Sequence, residues 1–350
     1  MNDPVILVTG GAGYIGSHAL LRLRERNFPA VVLDDLSTGR EDAVLHGTFI
    51  CGDVGDMDLV QRIIREHRID LVMHFAAKTV VPESVEDPLL YYSENTSKTR
   101  NLIECCANNG VRHFVFSSTA AVYGIPPGGI AREDTPLKPI NPYGSSKEMS
   151  ERMLDDIAAV TPMRHVTLRY FNVAGSDLQG RIGQSKQGCT LLTKVACEAA
   201  MGRRTHVNIY GDDYDTPDGT GVRDYVHVDD IARAHVAAVD YLLQGGESVT
   251  LNCGYGHGYS VREVMDTMQR IHGRPIDIRV ETRRPGDPPT LIADAARIRT
   301  VLGWQPEHDD LEEILQSALD WERELQRHQQ LVSTRWPKTA GVRATAASNR

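Results

Sequence analysis

The chain lacks most of what marks membrane, extracellular and nucleic-acid-binding proteins. No apolar run among its 350 residues approaches the roughly 20 needed to span a bilayer, and the N-terminus enters Val5-Ile6-Leu7 without a signal-like region. Cysteine is sparse. Cys51, Cys105, Cys106, Cys189, Cys197 and Cys253 show neither paired zinc spacing nor the density of a disulfide scaffold, so they read as reduced thiols. Cys253 and His257 have no second ligand pair beside them, and a Gly-rich loop explains both, so no metal is expected. Positive charge is in deficit, with 38 Lys and Arg against 47 Asp and Glu, and the net charge of −9 argues against nucleic acid and anionic membranes as partners. Local basic groups must then hold any anion. Internal repeats and low-complexity segments are missing too. The expectation is a cytoplasmic globular protein, large enough to bury a sizeable core.

The most informative stretch present is Val8-Thr-Gly-Gly-Ala-Gly-Tyr-Ile-Gly16, directly behind the apolar run Val5-Ile6-Leu7. It sets a glycine-rich turn between a strand and a helix. Gly10 permits the tight turn, Gly13 lets backbone approach a pyrophosphate, and Gly16 lets the helix pack on the strand, with the helix N-terminus facing the phosphates. A second strand, Ala30-Val-Val-Leu33, ends in Asp34-Asp35. A carboxylate there accepts both ribose hydroxyls of an adenosine and repels a 2′-phosphate, which favours NAD over NADP. Arg40 stands close enough in sequence to keep the phosphorylated dinucleotide open, and Asp35 also reads as a turn cap.

Short β-branched runs alternate with helical patterns, the mark of βαβ units and a Rossmann-type, doubly wound parallel sheet in an α/β fold. Strands are expected at Val5–Val8, Ala30–Leu33, Thr48–Ile50, Leu71–Phe75, Phe114–Ser117 and Val166–Tyr170, and helices over Asp58–His67 and Ser93–Asn108. The rhythm breaks after Asn172, where residues 173 to 190 are rich in Gly, Ser and Gln. We therefore expect a cofactor domain over 1–172 with a returning segment near 226–254. A smaller α/β region over 173–330, alternating short strands and loops, should carry substrate specificity. From Ser333 the chain has no acidic residue, and 333–350 is expected to be a mobile tail.

Reaction chemistry points to Asn141-Pro-Tyr143-Gly-Ser-Ser-Lys147. Pro142 sets Tyr143 in the first turn of a helix, and Lys147 lies four residues on along the same face. A tyrosine of pKa ~10 must be lowered by about 3 units, or ~4 kcal/mol, to act as a base at neutral pH. One cation ~5 Å away at an effective dielectric of ~20 supplies about 3 kcal/mol, which is marginal against burial. Lys147 together with a positive nicotinamide suffices, so the base is expected to be activated by its own oxidised cofactor. Upstream, Phe116-Ser-Ser-Thr119-Ala-Ala-Val-Tyr-Gly124 ends a strand at the carboxyl edge of the sheet, where Thr119 can offer a hydroxyl to the reacting oxygen and Ser118 could do the same.

These residues, with Arg169-Tyr-Phe-Asn-Val-Ala-Gly175 and Asp218-Gly-Thr-Gly-Val-Arg-Asp-Tyr-Val-His-Val228, resemble the extended short-chain dehydrogenases, and within them the UDP-glucose 4-epimerase family, from Val5 to about Glu324. The resemblance implies a tightly held NAD and a nucleotide sugar that reacts at its C4 hydroxyl. Tyr143 takes the O4 proton as hydride leaves C4, and the 4-keto sugar turns over in the pocket while UDP stays anchored. It extends the cofactor site beyond Gly10, Gly13, Gly16, Asp34 and Asp35 to Tyr14, Ile15, Asp53, Val54, Phe75, Ala76, Ala77, Lys78 and Asn95. Ser117, Tyr143, Lys147 and Tyr170 complete that site. Toward the substrate it implies Thr119, Asn172, Tyr210 on the uracil, Arg223 and Arg284 on the diphosphate, Asp287 near the ribose, and Leu291 as the residue that limits pocket size. This chain departs from some members of the family with Thr119 in place of serine, Thr79 in place of lysine, and Thr190-Leu191 in place of an asparagine pair. The resemblance also implies a homodimer, paired through the helices that follow Ser93 and Tyr143.

Related activities narrow the expectation. A 4,6-dehydratase needs an acid just after the Thr119 position, and Ala120 and Ala121 cannot protonate a leaving hydroxyl. Epimerases of UDP-xylose and UDP-arabinose or of UDP-N-acetylhexosamines differ at pocket residues near Leu191 and Leu291. A non-catalytic NAD-binding regulator would have no need of Thr119, Tyr143 and Lys147 together.

Overall fold

The structure is a computed structural model that describes residues 3–335. Its centre is a parallel sheet of seven strands: β1 (Val5–Thr9), β2 (Ala30–Asp34), β3 (Thr48–Cys51), β4 (Ile69–His74), β5 (His113–Thr119), β6 (Arg164–Tyr170) and β7 (Val249–Cys253). They lie in the order β7-β6-β5-β4-β1-β2-β3, every neighbouring pair parallel. The order reverses between β1 and β4, the switch point where such sheets open a crevice at their carboxyl ends. Strands β1 and β2 are apolar almost throughout because helices cover both faces, and β5 and β6 are buried along nearly their whole length although they carry several polar residues. Alternation sends Ile6 and Val8 into the core on one face and Leu7 into the core on the other.

On the first face lie α1 (Tyr14–Glu25) and α6 (Val228–Leu243), in mutual contact; on the second lie α2 (Met57–His67), α3 (Lys98–Asn108) and α4 (Pro142–Val160). Beyond the sheet come α5 (Leu192–Ala200), α7 (Val261–His272) and α8 (Leu311–Arg335), with a four-stranded sheet that contains Val222–Arg223 and Thr290–Ala293.

All six expected strands are present, most of them longer by a residue or two at one or both ends. The fourth sits further upstream than expected: it closes at His74, and Phe75 opens the next loop while its N–H still bonds Thr9 O at 2.9 Å. The expected helix over Ser93–Asn108 is α-helical only from Lys98, because a π-helical turn, Tyr92–Ser97, precedes it. A single extra residue per turn leaves no mark in the apolar spacing. The later region also holds more helix than the expected strands and loops. Its α7 carries a full capping box, Ser260 with Glu263, and buries Val264, Met265 and Met268 at helical spacing, so this helix was legible. Helix α8 runs through Ser333 to Arg335, and the rest of the expected tail, 336–350, lies outside the described residues. Among the described residues no helix is long and apolar enough to cross a membrane.

Candidate active site

Backbone geometry builds one end of the site. Gly10 has φ +72°, and a Cβ there would stand 2.5 Å from Ala76 N, so no other residue fits between β1 and β4. A Cβ on Gly16 would come within 2.3 Å of Gly10 O, which explains how α1 closes on the turn. Gly13 caps α1 without a side chain, and the first turn carries no acid, so the free N–H groups of that turn meet the crevice uncompensated. This bare cradle, with Tyr14 and Ile15 on its wall, fits a pyrophosphate.

Two carboxylates follow β2. Asp34 is buried and accepts the N–H groups of Ala12 at 3.0 Å and Leu36 at 2.8 Å, which pins the glycine turn to the neighbouring strand. Burial pushes its pKa up while those amides hold it down. Asp35 is more exposed and accepts Ser37 N–H at 2.8 Å, so it both caps its turn and lines the cleft. Arg40 forks onto Asp42.

From the glycine turn one continuous cleft of about 420 Å³ runs past the ends of β4, β5 and β6. Phe75, Ala76, Ala77 and Lys78 form its wall after β4. Asn95 lies behind that wall: its side chain accepts Lys78 N–H at 2.8 Å and donates to Lys78 O and to Ser146 Oγ, each at 3.0 Å. It braces the loop. Asp53 and Val54 line the cleft, and the Asp53 carboxylate is paired with Lys98 at 2.7 Å.

At the middle of the cleft the reactive residues meet. Asn141 caps α4 by accepting Gly144 N–H at 2.9 Å, and a Cβ on Gly144 would stand 2.6 Å from Ala121 O, so the helix packs tightly against the turn that begins at Thr119. That packing brings Tyr143 and Thr119 to one wall. Burial pushes the Tyr143 phenol up, and a hydrogen bond from Thr119 opposes it. Lys147 is buried behind them, its Nζ donating to Ser117 O at 3.0 Å and standing 4.9 Å from the centre of the Phe116 ring. Burial drops its pKa to about 7, against the nearby Glu151. Tyr170 joins the wall, whereas the Ser117 hydroxyl faces inward to His235 at 2.8 Å.

The far end gathers Asn172, Arg223, Asp287 and Leu291. Arg223 and Leu291 are paired in register on adjacent strands, and the guanidinium donates to Val222 O at 2.9 Å and Pro289 O at 3.3 Å. Tyr210 and Arg284 are off the wall: the Arg284 guanidinium stacks 3.7 Å over the Tyr210 ring. The expected departures Thr79, Thr190 and Leu191 do line the cleft. Gln184, Lys186, Glu94 and Lys98 line it as well, and sequence reasoning named none of them. The compositional break after Asn172 marked the segment of Gln184 and Lys186, but nothing local singled out those side chains.

A sequence profile described as the NAD dependent epimerase/dehydratase family matches residues 6–254. A UDP-glucose 4-epimerase of Azospirillum brasilense is 54% identical over 326 residues, covering 93% of this chain and 94% of that one. The UDP-Glc/GlcNAc 4-epimerase of Campylobacter jejuni superposes with a TM-score of 0.81 at 47% identity, over 92% of this chain and 99% of that one. The UDP-glucose 4-epimerase of Bifidobacterium longum, solved with NAD+ and UDP, superposes with a TM-score of 0.87 at 37% identity, over 91% and 98%. With a glycine cradle, a tyrosine and lysine on one helix, and an arginine at the far end of a single cleft, this chain belongs to the NAD dependent epimerase/dehydratase family.

Proposed function

We propose that this protein interconverts UDP-glucose and UDP-galactose through NAD-dependent oxidation and re-reduction at C4. The observation that carries this reading is that Tyr143 and Thr119 open onto the same cleft as the glycine cradle, with Lys147 buried directly behind. The cradle, Asp35 and the wall from Phe75 to Lys78 would hold NAD, which when bound supplies a hydride acceptor and donor. Burial alone keeps the Tyr143 phenol protonated, so an added positive charge beside it is what turns it into a base. Tyr143 then takes the O4 proton and later returns it, while Thr119 steadies the reacting oxygen. Arg223 and Asp287 would anchor the nucleotide, leaving the hexose free to present either face. Ala120 and Ala121 line the cleft and offer no acid for dehydration. Leu291, on the wall, sets how far an N-acetyl group enters.

We also infer a homodimer. Val85, Leu89 and Met149 are exposed apolar side chains, on helices Val81–Glu86 and Pro88–Tyr91 and on α4, which pack on one another at one side of the sheet. Sedimentation at micromolar concentration is expected to give a dimer; a monomer removes this inference. The six unpaired cysteines accord with a reducing compartment such as the cytoplasm.

The test is to incubate purified protein with UDP-galactose, without added NAD, and follow products by proton NMR. UDP-glucose without net NADH is the expected result. No conversion, with NAD still released on denaturation, moves the assignment to another UDP-sugar or to a binding-only role.

A further inference from the structure

The residues on either side of Thr119 are tied into a buried polar network that does not open onto the cleft. Ser118, one place before Thr119 on β5, is fully buried, and its hydroxyl is bonded to Oε1 of Glu151. A carboxylate paired with arginine only accepts, so Ser118 donates away from the cleft and is withdrawn from the reacting oxygen. The Ser117 hydroxyl is turned to His235, which leaves Thr119 as the one hydroxyl of this strand end on the cleft wall. Thr119 Oγ1 accepts Ala121 N–H at 3.1 Å, so its own proton is free for a ligand.

Glu151 stands about two turns beyond Tyr143 on α4. Its carboxylate is forked by Arg169, the β6 residue in register with Ser118: Nε lies 3.0 and 3.1 Å from the two oxygens, and Nη2 lies 2.6 Å from Oε2. The other arm of the guanidinium reaches the far end of the turn that begins at Thr119. Its Nη1 donates to the Tyr123 hydroxyl at 2.9 Å, and that hydroxyl donates to Asn252 Oδ1 of β7 at 2.6 Å. Ser118, Glu151, Arg169, Tyr123 and Asn252 are all buried, and none lines the cleft. One ion pair thus grips the residue before Thr119, the residue that closes the turn after it, and the helix that carries Tyr143. Stability alone does not call for such a pair, since apolar residues of similar volume in its place are often neutral or stabilising.

We propose that Glu151, through its pair with Arg169, is a positioning residue for Thr119, fixing that hydroxyl where it meets the oxygen Tyr143 deprotonates. This rests on the epimerase reading above. The effect falls on the chemical step rather than on binding, because the glycine cradle and Arg223 lie outside the contacts of the pair.

The test compares turnover of UDP-galactose in wild type, in Glu151→Leu with Arg169→Met, in Thr119→Val, and in all of these changes together. Both charges are removed at once because either alone leaves its partner buried and unpaired. The paired change is expected to lower kcat about a hundredfold, the size of a misplacement of ~1 Å, while KM, bound NAD and melting temperature hold. In the Thr119→Val background no hydroxyl is left to place, and the same change should lower kcat by less than about threefold. An unchanged kcat in the paired variant, or the same fold loss with and without the Thr119 hydroxyl, overturns the proposal. Should the paired variant fail to fold, Ser118→Ala cuts β5 from Glu151 and takes its place. It is expected to lower kcat about tenfold with Thr119 present and to change nothing in Thr119→Val; equal losses overturn the proposal. A wild type that retains NAD yet turns over no UDP-sugar removes the epimerase reading and this inference with it, whereas an active wild type with parallel losses removes only the role of Glu151.

Discussion

The two ends of the cleft are made of different materials. At the cofactor end the wall is largely backbone: the turn at Gly10, the bare N-terminus of α1, and strand ends locked in a parallel sheet. At the substrate end the wall is side chains, some on short strands such as Arg223 and Leu291 and others on loops, and those loops are fastened by contacts between distant parts of the chain. The segment that carries Gln184, Lys186, Thr190 and Leu191 is held where Ser176 bonds Ser317, where Gly183 lies against the Trp321 ring, and where Lys194 Nζ donates to Gln184 O at 2.9 Å. Lys194 is itself buried against Glu322 at 2.7 Å, and Arg203 joins the same carboxylate. Backbone cradles tolerate little variation, whereas fastened loops can change what they bind without disturbing the sheet. The contrast therefore suits one cofactor and a variable sugar.

The largest expected effect lies where the two ends meet. Tyr143→Phe should lower turnover about a thousandfold or more while the protein still carries NAD, measured by NMR on UDP-galactose and by cofactor released on denaturation. Near-normal turnover would remove Tyr143 as the base and dissolve the junction.

Next comes the fastening of the substrate end. Glu322→Ala leaves Lys194 and Arg203 without their buried carboxylate, and should cost about 3–5 kcal/mol in chemical denaturation. In the folded fraction the KM for UDP-sugar should rise while NAD content holds. Equal loss of both would show that the two ends are not separable.

A smaller effect is expected at the pocket limit. Leu291→Tyr should reduce use of UDP-N-acetylglucosamine about tenfold more than use of UDP-glucose, compared by kcat/KM. Parallel loss on both sugars would take the gate away from Leu291.

Smallest is a difference in pH response. His308, which bridges Asp229 at the start of α6 at 3.3 Å and Glu313 of α8 at 2.7 Å, has its pKa raised to about 9, chiefly by the Asp229 bond. Its stabilisation is complete below the ordinary 6.5 and fades as pH climbs through 9, so His308→Asn should flatten that decline, by about 2 °C in melting temperature. Lys147 at the reactive centre works the other way. Its folded value of about 7 lies below the ordinary 10.5, so burying the cation penalises folding at low pH, and the penalty eases between 7 and 10.5. Lys147→Met should remove that rise. The same sign in both variants would contradict the assignment of either group.

The cofactor end was legible because its constraints are local. Gly10 and Gly16 report close approaches within one turn and its neighbouring strand, and Tyr143 and Lys147 share one helix. Asn95 was legible only as a position: its task of bracing the Lys78 loop follows from a π-helical turn that apolar spacing does not reveal. Tyr210 and Arg284 were named for a nucleotide, and the fold stacks them on each other off the cleft wall. Lys186 and Gln184 carried no signal, because the residues that aim their segment lie on α5 and α8.

By itself, then, the sequence determined the parallel sheet, the glycine cradle, the second-strand carboxylates and the tyrosine–lysine helix, since each follows from sterics and hydrogen bonding over a few residues. Only the tertiary structure decided which side chains close the substrate end, which way the Ser117 hydroxyl points, and how Lys194 and Glu322 come to share a buried site across 128 residues of chain. Contacts of that span form only once the core has paid the entropy of bringing the segments together, and no local pattern encodes them.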